Sequence, residues 1–323
     1  MRKSLIVLLA AVALASAGAA CAQAYPNRPV KILVGFAAGG PTDVIARIVA
    51  QDMTASLGQT FFVENRPGAN AIIATDAVAQ SAPDGYTVLF SSLSLLVNAI
   101  LQPDKVHYDP FKDFAPISNA AALPMVVVTS PQTGIGSMQQ LVARAKAKPG
   151  EVSYGTPGIG GSSHLAGAML ENATGTKMLS VPFKGNGPAL AEVIAGRVTY
   201  MFYPVVGIAD QVAANKLKVL AIGTTEPRPD FPGVPTMTQA GFPGFEETAP
   251  WVGMLAPAGT PKPIVERLGE EMRKSLARPE TRERLKALGA VTVADTPAEF
   301  AAFLKKDHER WARVIKAANL KLE

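Results

Sequence analysis

One cysteine, three histidines and only 18% charged residues leave little from which to build a metal or redox centre. Cys21 alone cannot close an intrachain disulfide or form a cysteine-based zinc cluster. His107, His164 and His308 lie far apart in the chain, so neither a His-rich metal site nor a cofactor is expected. Lys and Arg number 31 against 26 Asp and Glu, an excess of +5 that is too small to signal nucleic-acid binding. No Lys/Arg cluster with interleaved aromatics appears either. Beyond the N-terminal segment, no stretch reaches the ~20 apolar residues a membrane span needs without meeting a charge, Pro or Gly. What is present is 48% hydrophobic residues, 28 Gly and 26 Pro in 323 residues. That apolar content excludes disorder, and the Gly and Pro are scattered rather than periodic, which excludes a collagen-like repeat. The length suits one large or two modest domains with a buried core.

The N-terminus reads as a secretory signal. Arg2 and Lys3 precede an apolar run over 5–15, and Ala22-x-Ala24 supplies a small-residue cleavage site. Residues 1–24 are expected to be removed, leaving a chain that begins at Tyr25. The removal takes two positive charges and no acid, so the net charge falls from +5 to +3. A lipoprotein would need a Leu-like residue where Gly18 stands, so Cys21 is expected to leave with the signal. The mature chain then lacks cysteine and is expected in the periplasm, an oxidising compartment.

Strand and helix signals alternate after that. Residues 30–35 (VKILVG) read as a buried strand, followed by a Gly-rich turn, Pro41 and helical spacing through Leu57. Strands are expected at 61–63 and 86–90 with a helix over 72–80 between them, and 102–116 reads as loop. The pattern resumes with a strand at 125–129, and Ser137 with Gln140 opens a helix as a capping box. Two further strands, 152–154 and 179–183, each run through a Gly-rich loop into a helix, and strands at 198–203 and 217–222 follow. The Pro- and Gly-rich segment 224–250 reads as irregular and 251–256 as strand. The C-terminal region is helical, with Thr296 and Glu299 as a second capping box and an apolar stripe of Phe300, Phe303, Leu304, Trp311 and Ile315. Such alternation indicates α/β sheets.

The loops 36–43 and 156–163 are the chemically informative ones. A helix N-terminus presents unpaired N–H groups and roughly half a positive charge, and glycine lets a ligand approach closely. Two such loops facing each other would clamp an anion without Arg or Lys; the other reading is that each glycine run merely permits a tight turn. Enzyme motifs are weaker. Residues 158–161 lack the third glycine of a dinucleotide fingerprint, and no P-loop occurs. Ser162 and Ser163 precede His164, but Gly-x-Ser-x-Gly is not formed. No catalytic residue is assigned, and a Ser-dependent hydrolase stays as the distant alternative.

The motifs, taken in order, resemble the periplasmic solute-binding receptors of the tripartite tricarboxylate transporter family, the Bug receptors. They include Tyr25-Pro-x-Arg-Pro-Val-Lys31, Phe36-Ala-Ala-Gly-Gly-x-x-Asp43, Val63-Glu-Asn-Arg-Pro-Gly68, Pro83-Asp-Gly-Tyr86, Asp113-Phe-x-Pro-Ile117 and Tyr154-Gly-Thr-x-Gly-x-Gly160. Val181-Pro-x-Lys-Gly185, Gly187-Pro-Ala189, Val234-Pro-Thr236, Ala256-Pro-Ala-Gly-Thr-Pro261 and Thr296-Pro-x-Glu-Phe300 complete the series. The resemblance implies a two-lobed α/β periplasmic binding protein of type II-like form. Each lobe would be a mostly parallel sheet flanked by helices, with two crossovers and an interlobe cleft. Lobe 1 would comprise residues 25–124 and 249–323, and lobe 2 residues 125–248.

The resemblance also implies that a small organic carboxylate sits between the two loops, held by backbone amides, hydroxyls and bridging waters. Phe36, Ala37, Ala38, Gly39, Gly40, Thr42 and Asp43 would line one side, and Thr156, Gly158, Gly160, Gly161, Ser162 and Ser163 the other. Ser91, Ser92, Tyr203 and Trp251 are candidates for selectivity, although Ser91 can equally cap the next helix and Trp251 can be structural. Two departures stand out. Tyr203 replaces an acid that many relatives carry, which disfavours an amino-acid ligand, and Asn70-Ala71 stands where a Gly pair is usual, a change expected to alter the loop's shape without affecting the clamp. The implied partners are the large and small membrane subunits of a tripartite transporter, served by a monomeric receptor that hinges shut on its ligand. A sensor role with the same binding chemistry is the alternative.

Overall fold

The computed structural model of the chain describes residues 25–317. The expected signal segment 1–24, with Cys21, lies outside the described residues. The first part of the chain runs β1 (Val30–Val34), α1 (Pro41–Leu57), β2 (Phe61–Asn65), α2 (Ile72–Ala79), β3 (Thr87–Ser92), α3 (Ser94–Leu101) and β4 (Phe114–Ala122). It then continues through β5 (Met125–Thr129), α4 (Met138–Ala147), β6 (Ser153–Thr156), α5 (Ser162–Thr174), β7 (Leu179–Pro182), α6 (Asn186–Ile194), β8 (Tyr200–Pro204), α7 (Ala209–Ala213) and β9 (Lys218–Gly223). The last part is β10 (Trp251–Pro257), α8 (Lys262–Ala277), α9 (Pro279–Ala287), β11 (Val291–Thr292) and α10 (Pro297–Ala317). No described helix is long and apolar enough to cross a membrane.

The strands form two sheets, ordered β11-β4-β10-β3-β1-β2 and β7-β6-β8-β5-β9, flanked by helices as a two-lobed α/β fold. The chain crosses between them after β4 and returns after β9. The sheets are mixed rather than mostly parallel, which corrects the expectation from sequence. β1, β2 and β3 are parallel, but β10 is antiparallel to both β3 and β4, and β5 is antiparallel to both β8 and β9. β11 is antiparallel to β4 at the sheet edge, and for β5 and β10 the cause is the crossovers. β5 and β10 enter their sheets directly from the other lobe, so they start at the cleft edge and run away from it, against their neighbours. The two crossovers lie side by side, with Leu123 N–H donating to the Pro250 carbonyl (2.8 Å).

Central strands are apolar on both faces because helices cover both. In β1, Ile32 and Val34 pack with Ile45 and Val49 of α1 and Leu268 of α8, while Leu33 turns to the opposite core with Val78 of α2 and Phe300 of α10. β5 repeats this, with Val126 and Val128 facing Leu190 of α6 and Val127 facing Leu141 of α4. Each such side chain contributes about 1.5–3 kcal/mol by leaving water. The Thr296 capping box forms in full, whereas at Ser137 only the cap bond forms and Gln140 Oε1 accepts from the Gly136 N–H instead (2.6 Å). Ser137 Oγ accepts from Gln140 N–H (3.2 Å), and Thr296 and Glu299 bond each other's amides (2.9 and 3.2 Å). β4 falls partly in the stretch read as loop. Apart from Phe114 and Ile117 its residues are small or polar, and Pro116 withholds an N–H where the register with β10 shifts. Pairing with β10 and β11, not local propensity, makes it a strand.

Trp251, the first residue of β10, is buried edge-on against Phe300 and Phe303, and its Nε1–H donates to Asp307 Oδ2 (3.0 Å). It therefore anchors the second crossover to α10 and takes the structural alternative. Asp307 is 3% exposed and also pairs with Arg310. Asp307→Ala leaves the indole N–H buried without an acceptor, so a loss of about 2–4 kcal/mol is expected in chemical denaturation of the mature chain, against a smaller loss for Asp307→Asn. Equal losses would show that packing, not the hydrogen bond, anchors the crossover.

Candidate functional site

Four helices begin at one cavity between the lobes. α1 starts after Gly40, α3 after Leu93, α5 after Gly161 and α6 after Gly185, and no side chain caps any of the four. Pro41 and Thr42, Leu93 and Ser94, Gly161 and Ser162, and Asn186 line the cavity at these ends. Phe36, Asn70, Ser92, Leu123, Pro157, Pro204, Pro250 and Val252 complete the wall, with no charged side chain among them. Leu123 and Pro250 belong to the crossovers, so the hinge is the floor of the cavity. Its volume is about 20 Å³. A larger cavity of about 400 Å³ meets it at Asn70 and Pro157 and carries Lys105 of one lobe and Lys184 of the other.

The lobes touch across this cleft. Ala37 N–H donates to the Lys184 carbonyl (2.9 Å). Gly187, at the start of α6, lies so close to residues 38–40 that a Cβ there would stand 3.4 Å from the Gly40 nitrogen. Asn70 reaches under the second-lobe loop, where a Cβ on Gly158 or Gly161 would come within 3.2 Å of its side chain. An apolar cluster of Leu93, Val97, Trp311 and Ile315 from one lobe receives Leu165 of α5 from the other.

A profile described as the tripartite tricarboxylate transporter family receptor matches residues 45–320. The chain belongs to the tripartite tricarboxylate transporter receptor family. It is 35% identical over 328 residues to protein BugT of Bordetella pertussis (strain Tohama I), covering 100% of both chains. Among solved structures, Rpa4515 of R. palustris with adipate superposes with a TM-score of 0.88 at 30% identity, over 92% of this chain and 99% of that one. MatC (Rpa3494) from Rhodopseudomonas palustris with bound malate gives a TM-score of 0.86 at 32% identity, over 90% and 100%. The family is one of solute-binding receptors, and the two neighbours hold carboxylates.

Within this receptor fold, the residues expected from sequence separate into groups. Phe36, Thr42, Ser92, Gly161 and Ser162 line the cavity. Ala38 and Gly39 face solvent, and the amides of Ala37 and Gly39 are already committed, to Lys184 and to Asp43 Oδ2 (2.9 Å). Asp43 is 2% exposed and holds the loop in place. It accepts from Arg47 Nε (3.0 Å) and from Asn65 Nδ2 (2.8 Å), which also donates to the Phe36 carbonyl (3.0 Å). Gly158 and Gly160 pack on Asn70 from outside the inner cavity, and Gly158 lines the larger one. Thr156 and Ser91 are buried with hydroxyls that find no partner among the described residues, and neither lines the cavity. Ser91 is turned away because strand neighbours face opposite ways and Ser92 takes the cleft side; it does not cap α3.

Tyr203 is a correction. It lies in the second-lobe core with Val126, Leu190 and Val205, and its neighbour Pro204 reaches the cavity instead. Burial pushes its phenol pKa up. Ser163, also off the wall, donates to Asn186 Oδ1 (3.1 Å), which turns the Asn186 amide nitrogen away from it, a donor without a partner among the described residues. His164 accepts from Gly160 N–H at Nδ1 (3.3 Å), and burial pushes its pKa below the usual 6.5. Among the described residues no hydrogen bond joins His164 to either serine. Sequence reasoning missed Asn70, Ser94 and Asn186. The loop carrying Asn186 reads from sequence as a strand-to-helix turn, and that is the available signal.

For Asp43, burial raises the pKa, but the hydrogen bonds from Arg47, the Gly39 amide and Asn65 outweigh it and hold the group below its ordinary 3.8. Asp43→Ala is expected to lose about 1–3 kcal/mol at neutral pH by leaving these donors unpaired. Between the depressed and the ordinary value the unfolded chain binds more protons than the folded one, so the wild-type advantage is full above 3.8 and drains as pH falls through the folded value. Denaturation curves of both proteins across that range check this; a gap that does not narrow contradicts the assigned network.

Proposed function

We propose that the chain is an extracytoplasmic receptor, not an enzyme, that captures a small organic carboxylate in the cavity and delivers it to the membrane subunits of a tripartite transporter. The observation that carries this reading is the convergence of four uncapped helix N-termini on one uncharged cavity. Each presents N–H groups lacking an intrahelical partner and the positive end of a helix dipole, and together they favour an anion without any basic side chain. Asn186 adds an amide donor and Ser162 and Thr42 add hydroxyls. The inner cavity takes the carboxylate head, and the body of the ligand extends into the outer cavity past Asn70, where Lys105 and Lys184 attract anions.

Capture requires the lobes to part, because the inner cavity is closed off by contacts between them. Closure then removes the carboxylate from water and brings both lobes' donors to it. Only the closed shape joins the two lobe surfaces into one face, which suits recognition by membrane subunits. The carboxylates held by the adipate- and malate-bound neighbours support the ligand class.

A thermal-shift screen of the mature chain against mono-, di- and tricarboxylates and aromatic acids tests the ligand class, since binding to the native form raises the melting temperature by mass action. At least one acid is expected to raise it; no shift with any of them counts against the reading. Loss of uptake of that acid in cells lacking the chain tests delivery. Closure has its own test. Gly187→Val places a bulky side chain against residues 38–40 of the other lobe, so ligand affinity is expected to fall about tenfold or more for every acid, with the unliganded melting temperature little changed. Unaltered affinity would mean that binding does not need this contact.

A further inference from the structure

Residues 69–71 run through the left-handed region in succession, with φ of 45° at Ala69, 50° at Asn70 and 74° at Ala71. Glycine would hold such a backbone without strain, and none of the three is glycine. The middle residue carries a polar side chain to the cavity, where Asn70 is 5% exposed. A chain of bonds sets its orientation. Asn98, fully buried on α3, donates through Nδ2 to the Asn70 carbonyl (2.8 Å). A carbonyl only accepts, so the other arm of the Asn98 amide must be Oδ1, and that oxygen accepts from Asn70 Nδ2 (2.9 Å). Asn70 is therefore left with Oδ1 as its free arm, buried and accepting nothing among the described residues. It stands beside Gly161, the residue that opens α5, close enough that a Cβ there would lie 3.2 Å from it.

An acceptor fixed next to a group of helix N-termini is misplaced for a bare carboxylate, whose oxygens only accept. It calls for a donor on the ligand, close to the carboxylate carbon. The donor is a neutral one, because no acidic side chain lines the cavity to balance an ammonium and the helix N-termini oppose a cation. We propose that Asn70 is the residue that sets this receptor's ligand class, accepting a hydrogen bond from the hydroxyl of a 2-hydroxy acid. The inference rests on the carboxylate reading above and adds the hydroxyl.

The test uses matched trios on the purified mature chain: lactate, propionate and alanine; malate, succinate and aspartate; mandelate, phenylacetate and phenylglycine. Calorimetry is expected to show, within each trio that binds, the hydroxy acid about tenfold or more tighter than its deoxy partner, and the amino acid weakest. Asn70→Gly, which suits the backbone, is expected to bring the hydroxy and deoxy acids within about twofold of each other, and any loss through the lobe contact falls on both alike. Asn70→Asp keeps the shape but adds charge, so hydroxy acids weaken and the amino acid gains relative to them. Equal binding of hydroxy and deoxy acids by the wild type, or a preference that survives Asn70→Gly, overturns the inference and leaves the carboxylate reading intact. Failure of every acid to bind overturns both.

Discussion

A helix that begins without a side-chain cap leaves backbone N–H groups whose partners must come from elsewhere, and a buried N–H left alone is costly. Here α1, α3, α5 and α6 all begin that way around one cavity. Much of the surrounding architecture follows from that constraint. Strands β1, β3, β6 and β7 end at the cleft, each feeding a helix that starts there. Of the reversed strands, β5 and β10 carry the chain across the hinge, so they cannot also present helix starts to the cavity, while the short β11 only edges β4. The chain thus concentrates positive backbone dipoles at one place while keeping charged side chains out of it.

The polar side chains near the cavity divide into those that face it and those that orient the ones that do. Asp43 is spent on Gly39, Arg47 and Asn65, which fixes the loop ahead of α1. Ser163 orients Asn186, and Asn98 orients Asn70. In each case a buried or half-buried group would otherwise be free to rotate, and a hydrogen bond removes that freedom before any ligand arrives. Preorganisation of this kind reduces the ordering cost of binding. It also lets a site without a formal charge hold an anion, because its donors need not be recruited from solvent-exposed positions.

Closure and recognition share the same atoms. The glycines at 158, 161 and 187 lie where one lobe meets the other, so their lack of a side chain serves the approach of the lobes as well as of a ligand. The contact of Leu165 with Trp311 and Ile315 ties the same closure to α10, which in turn holds the second crossover through Asp307 and Trp251. The hinge, the C-terminal helix and the cavity floor therefore form one connected unit.

The local pattern of the sequence determined a good deal. The β-branched runs at 30–35 and 125–129, the helix caps at Ser137 and Thr296, and the Gly-rich turns before α1, α5 and α6 are visible because strand pleating, helix capping and tight turns act over a few residues. The motif order was enough to reach the receptor family. What the sequence could not determine was anything that depends on partners far along the chain. β4 is a strand only because β10 and β11 lie beside it, and the reversal of β5 and β10 comes from the crossovers. Asp43 and Ser163 have the chemistry of ligand contacts, yet Asn65 and Asn186 occupy them. Tyr203 carries a hydroxyl but faces the core, and Asn70 looks like a turn residue until Asn98, 28 positions away, fixes its amide. A side chain's type is local information, but whether its hydrogen-bonding capacity is already satisfied is decided only when the fold brings its partners together.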